Sequence, residues 1–185
     1  MRIGIDIDDT ITDSFVYVLD KIAKDYNKDY DELLSKNLNW DDIYHGCEDL
    51  PPLMDYVFSN YHLWIPEFEI KEDAIETMQK LLDDGHEIIL ATARSHALPG
   101  QNLKYIEDNK IPCTKLREAA GNKVAVALEE KLDLLIDDSI NNCTLVKSEG
   151  IPVLLYDNPY NRKCTTLDRV CSWKEVYEVV TNMTK

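Results

Sequence analysis

Little in this chain could serve as a staple. Its five cysteines are an odd number, and Cys47, Cys113, Cys143, Cys164 and Cys171 are scattered with no Cys-x-x-Cys pair. Free thiols in a reducing compartment are expected, rather than a disulfide framework. His45-Gly46-Cys47 offers two zinc-type ligands without a second pair, too few for a structural zinc. With 6 glycines and 7 prolines in 185 residues, collagenous and low-complexity classes are excluded. No apolar run approaches the ~18 residues of a bilayer span, and Arg2 and Asp6 interrupt the start before a signal-peptide core can form. A soluble, cytoplasmic protein with no membrane partner is expected. Positive charge is scarce as well: 20 Lys+Arg against 35 Asp+Glu leave a net charge of −15. Such a surface repels nucleic-acid polymers and anionic lipid. A phosphorylated small molecule would need a local cation, either a metal ion or a few well-placed Lys or Arg.

What is present is ordinary globular composition, 44% hydrophobic and 30% charged. The length suits one domain with room for an insertion, and about 70% of the unfolded surface can be buried at this size. Five short apolar runs, at 2–7, 87–92, 113–116, 133–137 and 152–157, read as strands. IILA, LLI and VLLY within them are continuous rather than alternating, as in parallel strands covered on both faces. Helical patterns lie between. Residues 72–84 place Ala74, Ile75, Met78, Leu81 and Leu82 on one stripe before a stop at Gly85, and 140–149 end at Gly150 in the same way. Ser172-Trp173-Lys174-Glu175 has capping-box spacing. The alternation predicts an α/β fold on a five-stranded, mainly parallel sheet.

One stretch breaks the alternation. Residues 15–73 show helical periodicity only, with Phe15, Val18, Leu19, Ile22 and Tyr26 on one face and Tyr56, Val57 and Tyr61 on another. This stretch holds 11 of the 16 aromatics. It is too long for a βα loop and too short for a domain of normal size. The expected division is a core of residues 1–14 and 74–185, with 15–73 as a small helical insertion after the first strand.

The chemistry gathers where strands end. The first runs Gly4-Ile5-Asp6-Ile7-Asp8-Asp9-Thr10; residues two apart on a strand point the same way, so Asp6 and Asp8 can face one site, outside the carboxyl ends where open α/β sheets bind ligands. Three carboxylates in four residues repel unless a cation sits among them, and an all-oxygen cluster suits Mg²⁺. Asp137-Asp138-Ser139 closes the fourth strand in the same form, with N-caps of the next helix as the alternative for Asp138 and, more so, for Ser139. Thr92 and Arg94 bring a hydroxyl and a guanidinium to the same edge, Thr92 as a phosphate donor or an N-cap. Lys123 stands where the helix before the fourth strand should start, within reach of a phosphate. Lys115 and Lys131 compete for that role, and helix position favours Lys123.

Asp6-x-Asp8-x-Thr10 after a strand, hydrophobics then Thr92, an upstream lysine, and hydrophobics then Asp137-Asp138 resemble the four motifs of the haloacid-dehalogenase-like superfamily. Thr92-Ala93-Arg94, Asp137-Asp138-Ser139 and the run from Gly150 to Asp157 resemble its deoxyribonucleotidase-like branch, which includes bacterial nucleotidases. The resemblance implies a Rossmann-like core with a helical cap after the first motif. It implies that Asp6 is a nucleophile forming an aspartyl-phosphate, and that Asp8 protonates the leaving oxygen and then activates water. It implies Mg²⁺ on Asp6, the backbone carbonyl of Asp8 and Asp137, with Asp138 in support, and the phosphoryl group on Thr92 and Lys123, joined by Arg94. The implied activity is Mg²⁺-dependent hydrolysis of a small phosphomonoester, a (deoxy)nucleoside monophosphate before a sugar phosphate. Among the insertion's aromatics, Trp40, Trp64 and Phe68 are the candidates for the substrate pocket; oligomeric state stays open between monomer and homodimer. A receiver-type switch is disfavoured by the insertion and by Cys113-Thr114-Lys115 on the third strand, where a receiver carries its phospho-acceptor Asp. A silent phospho-ligand binder is disfavoured by the presence of both Asp6 and Asp8.

Overall fold

The apolar runs become strands of one sheet in the computed structural model, which describes residues 1–94, 96–118 and 120–184. The strands are β1 (Arg2–Ile5), β2 (Glu87–Ala91), β3 (Lys115–Arg117), β4 (Leu134–Asp137), β5 (Val153–Tyr156) and β6 (Arg169–Val170). Their order is β3-β2-β1-β4-β5-β6, and every pairing is parallel. The sheet therefore has six strands rather than five. β6 is only two residues long and pairs through Leu155↔Arg169 and Tyr156↔Val170. A strand that short carries no apolar run, so periodicity is blind to it. β4 and β5 are buried throughout, which explains their unbroken hydrophobic sequences. At the sheet's centre the neighbours of β1 approach closely: a Cβ on Gly4 would lie 2.3 Å from Leu132 Cδ1 and 3.3 Å from Leu135 Cδ1.

Helices cover the sheet where the apolar stripes require it. α5 (Ala74–Asp83) buries Ala74, Thr77, Met78 and Leu81, and Gly85 follows at φ +84°, a left-handed turn that glycine makes without strain. α6 (Gln101–Asp108) buries only Asn102, Tyr105 and Ile106, too sparse a stripe to read in advance. α7 (Lys123–Glu129) starts at Asn122, whose side chain accepts from Ala125 N. α8 (Ile140–Ser148) starts at Ser139, whose hydroxyl accepts from Asn142 N at 3.3 Å. Ser172 caps α9 (Trp173–Met183) through Glu175 N at 3.2 Å. The Glu175 carboxylate returns to Cys171 N at 2.6 Å, one residue upstream of a standard capping box.

Residues 14–73 hold α1 (Ser14–Asp25), α2 (Tyr30–Ser35), α3 (Trp40–His45), α4 (Met54–Trp64) and a 3₁₀ turn at Ile65–Glu67. The two chain connections at their base are bonded to each other: Asp13 N donates to Glu69 O at 3.0 Å and Lys71 N to Ile11 O at 2.8 Å. The interior is aromatic. Phe68 packs edge-on against Tyr17 and Tyr61, both at 5.4 Å between ring centres, and Trp64 lies 5.6 Å from Tyr56. Such pairs add about 0.5–1.5 kcal/mol each beyond their buried area. The apolar side chains of α1 and α4 join one continuous core with β1 and α5. Among the described residues no helix is long and apolar enough to cross a membrane.

Candidate active site

In this strand order the chain leaves β1 toward β2 and β3 on one side, then crosses to β4, β5 and β6 on the other. The reversal lies between β1 and β4, where open α/β sheets form a crevice at their carboxyl ends. Asp6 follows β1 there and Asp137 ends β4. The register Ile5↔Leu90 and Ile5↔Ile136, with Asp6 N on Ile136 O at 3.0 Å, sets the two carboxylates level. Thr92 follows the neighbouring strand β2, fully buried, its hydroxyl accepting from Arg94 N at 3.3 Å. Lys123 is the first residue of α7. Its Nζ donates to Asp6 Oδ1 and to Ala91 O and lies 3.7 Å from Asp137 Oδ2. Lys115 pairs instead with Glu130 at 2.7 Å, and Lys131 is exposed, so Lys123 is the lysine the fold brings to the carboxylates.

Each remaining acidic residue has its own holder. Asp137 Oδ1 accepts from Ser139 N at 2.9 Å, and both its oxygens accept from Asn142 Nδ2 at 3.1 Å. Asp138 Oδ2 accepts from Tyr160 OH at 2.6 Å. Asp9 sits at φ +60°, a conformation tolerated by Asp better than by most residues. Its carboxylate accepts from Phe15 N at 2.7 Å, Ser14 Oγ at 3.1 Å and Trp40 Nε1 at 2.8 Å. Asn158 Nδ2 holds the Asp9 carbonyl at 2.8 Å. Asp8 takes a two-pronged bond from Arg94, Nε at 2.9 Å and Nη2 at 2.8 Å. Arg94, expected beside Thr92 on a phosphate, is thus turned onto Asp8. Its Nη1 and the hydroxyl of Thr10 are buried with no hydrogen-bond partner among the described residues, each a cost of about 1–3 kcal/mol.

Five carboxylates therefore crowd two cations. Burial raises the pKa of Asp6 to about 7; Lys123 opposes this, while Asp137 and Asp8 reinforce it. Burial also raises Asp9 to about 6, against the Phe15 N–H bond, and holds Asp138 well above the usual carboxylate range, with Asp137 and Asp9 adding to it. Burial works against the Lys123 charge, yet Asp6 and Asp137 outweigh it and raise its pKa. A site with this surplus of negative charge suits a divalent cation, and Asp6 and Asp137 are hard oxygen donors of the kind Mg²⁺ takes, one or two at a time. No three His, Cys, Asp or Glu side chains converge as a ready cage among the described residues, because Asp8 is turned to Arg94 and Asp138 to Tyr160.

Above Asp8 opens a cavity of ≈ 340 Å³, walled by Trp40, Tyr44, Phe58, Tyr61, Arg94 and His96. Of the three aromatics named for a substrate pocket, Trp40 is one of these walls. Trp64 and Phe68 are not among its walls: both are buried, Trp64 against Tyr17 and Tyr56, while Phe68 backs the Arg94 guanidinium at 5.5 Å. Tyr44, Phe58, Tyr61 and His96 take their place. A signal for some was available, since Tyr44 lies one helical turn after Trp40 and Tyr61 three residues after Phe58. His96 left none, because it meets Phe58 only through the fold, ring on ring at 3.8 Å and 21°.

Several likenesses to known proteins bear on this geometry. The chain matches the model of the family described as "5′ nucleotidase, deoxy (Pyrimidine), cytosolic type C protein" over residues 1–185. A nucleotidase of Clostridium acetobutylicum is 28% identical over 186 residues, covering 97% of this chain and 93% of that protein. The protein YqfW of Bacillus subtilis is 27% identical over 193 residues, covering 98% and 94%. Among solved structures, a phosphatase so described from Clostridium acetobutylicum superposes with a TM-score of 0.68 at 12% identity, covering 98% of both chains. That is a likeness of fold, and other neighbours in fold are hydrolases of the haloacid-dehalogenase superfamily.

Proposed function

Because the chain belongs to the 5′ nucleotidase, deoxy (pyrimidine), cytosolic type C family, within the haloacid-dehalogenase-like superfamily, we propose that it hydrolyses small phosphomonoesters through a phosphoryl group carried on Asp6. The observation that carries this reading is Lys123 Nζ bonded to Asp6 and facing Asp137 at the switch point of the sheet. A carboxylate attacking a phosphate dianion needs a cation on the transferred oxygens and fixed alignment. Lys123 supplies the first, and its burial between three strand ends supplies the second.

In the first step an Asp6 oxygen bonds to phosphorus, the ester P–O bond breaks, and the leaving oxygen takes a proton from Asp8. In the second, Asp8 removes a proton from water, whose oxygen attacks the same phosphorus; the acyl–phosphate bond breaks and Asp6 is regenerated. Thr92 and Lys123 hold the phosphoryl oxygens. Mg²⁺, when bound, would be held by Asp6, Asp137 and the Asp8 carbonyl with Asp138 in support, and would offset the negative charge shared by phosphate and carboxylates. Residues 15–73 serve as the cap of a core formed by 1–14 and 74–185. The paired connections at 11–13 and 69–71 are its hinge, and closure brings α3 and α4 to the leaving group while excluding water.

A leaving group that carries a flat aromatic base matches the cavity above Asp8, so the substrate proposed is a (deoxy)nucleoside monophosphate, with a sugar phosphate as the second reading. The test is turnover of a panel of nucleoside monophosphates, sugar phosphates and p-nitrophenyl phosphate, with Mg²⁺ or with EDTA. Turnover on the panel, lost with EDTA and restored by Mg²⁺, is expected. Turnover insensitive to EDTA, or none on any ester, would refute the reading. In the same assay Trp40→Ala and Phe58→Ala should raise KM for the preferred nucleotide by about 5–150-fold, the ~1–3 kcal/mol of one lost base stack. KM for p-nitrophenyl phosphate should change far less, whereas equal changes would mean that the cavity does not read the base.

A further inference from the structure

We propose that Arg94 is a positioning residue for Asp8, fixing the plane of its carboxylate for proton transfer, and not a ligand of the substrate phosphate. This rests on the hydrolase reading above. Three observations carry it. Nε and Nη2 of the guanidinium take the two Asp8 oxygens at 2.9 and 2.8 Å, a fork that fixes the carboxylate's tilt as well as its distance. The guanidinium is confined: its side chain is 1% exposed, and its Cζ lies 5.0 Å from the ring centre of Tyr105 and 5.5 Å from that of Phe68. Tyr105 OH in turn donates to Phe68 O at 2.7 Å, tying together the two residues whose rings lie against Arg94.

The Asp8 carboxylate borders the aromatic cavity and keeps 20% of its side chain exposed. The fork uses one lone pair on each oxygen, so a second lone pair on each remains for a leaving oxygen or a water. Without the fork, Asp8 would be free to rotate about its side-chain bonds among several orientations, few of them aligned with the ester oxygen. Misalignment of an acid–base group lowers the rate of the step that needs the proton and leaves ground-state binding unchanged.

Arg94→Met, Asp8→Asn and the double variant form the test, with Arg94→Lys keeping the charge while removing the fork. Leaving-group release is followed in a single turnover with a nucleoside monophosphate, whose alkoxide leaves poorly, and with p-nitrophenyl phosphate, whose phenolate leaves without help. Arg94→Met should slow release from the nucleotide by about 10–100-fold, with Arg94→Lys between it and wild type. Release of p-nitrophenolate and inhibition by inorganic phosphate should stay within about threefold. In the Asp8→Asn background Arg94→Met should cost nothing further, because its only route to the chemistry is gone. Multiplying losses, or equal slowing of both substrates, would overturn the proposal in favour of a packing role. Loss of phosphate inhibition would overturn it in favour of a phosphate ligand. If Arg94→Met does not fold, Arg94→Lys with and without Asp8→Asn decides between the same outcomes. A wild-type protein silent on both esters would sink the hydrolase reading instead.

Discussion

Asp6→Asn should lose turnover by about 10⁴-fold or more, the scale on which removal of a catalytic nucleophile is felt. The amide is the same size, can still accept from Lys123 Nζ, and keeps its place after β1. What it lacks is the negative oxygen that bonds to phosphorus. The same substitution should raise the melting temperature of the metal-free protein at pH 8. The sign follows from burial, which raises the Asp6 pKa from 3.8 to about 7 in the folded chain. The native state then binds a proton more readily than the unfolded chain, so ionising Asp6 costs stability, increasingly as pH rises above the unfolded value and fully above about 7. An amide escapes that cost. Turnover within tenfold of wild type would show that Asp6 is not the nucleophile. A lower melting temperature at pH 8 would show that Asp6 is held by favourable contacts rather than against its burial.

Lys123→Met should have the second-largest effect, and on both stability and activity. Removing one partner of a buried ion pair leaves uncompensated charge behind, typically about 3–5 kcal/mol, and here two carboxylates, Asp6 and Asp137, would face each other without a cation. Turnover should fall by about 10²–10³-fold, as when one donor to a transition-state oxyanion is deleted. Lys115→Met and Lys131→Met should leave turnover near wild type, since Lys115 is half exposed on Glu130 and Lys131 is exposed. Denaturant titration and steady-state rates on the three variants check this. A Lys123→Met protein of wild-type stability and rate, or a comparable loss in Lys115→Met, would contradict the assignment.

How much of this was legible beforehand depended on whether a feature is local. The strands around Ile88–Leu90, Leu134–Ile136 and Val153–Leu155 are buried on both faces, so continuous apolar runs announced them. Asp6, Asp8, Thr92 and Asp137 were legible because each follows such a run and the parallel sheet brings all carboxyl ends to one edge. Lys123 was placed by the helix start at Asn122, a local signal shared with no other lysine in the region. The sixth strand was not legible, because Arg169 and Val170 are held by pairing with β5 and by Arg169 bonds to Asp157 and Asn161. Nor was the turn of Arg94 onto Asp8, which is decided by side chains 86 positions apart in the chain. The aromatics of residues 15–73 show the same limit. Composition flagged the segment as rich in rings, yet whether a ring faces the cavity, as Trp40 does, or fills the core, as Trp64 does, depends on how the helices pack.

A phosphoryl group carried on Asp6 can be detected directly. Wild-type protein is mixed with Mg²⁺ and a phosphoester carrying labelled phosphate, quenched in acid within the first turnover, digested with pepsin at low pH, and mapped by mass spectrometry. One phosphoryl group on the peptide that contains Asp6, labile to base and absent from Asp6→Asn, is expected. Full turnover with no labelled peptide, or with the phosphoryl group on any other residue, would show that Asp6 is not the nucleophile.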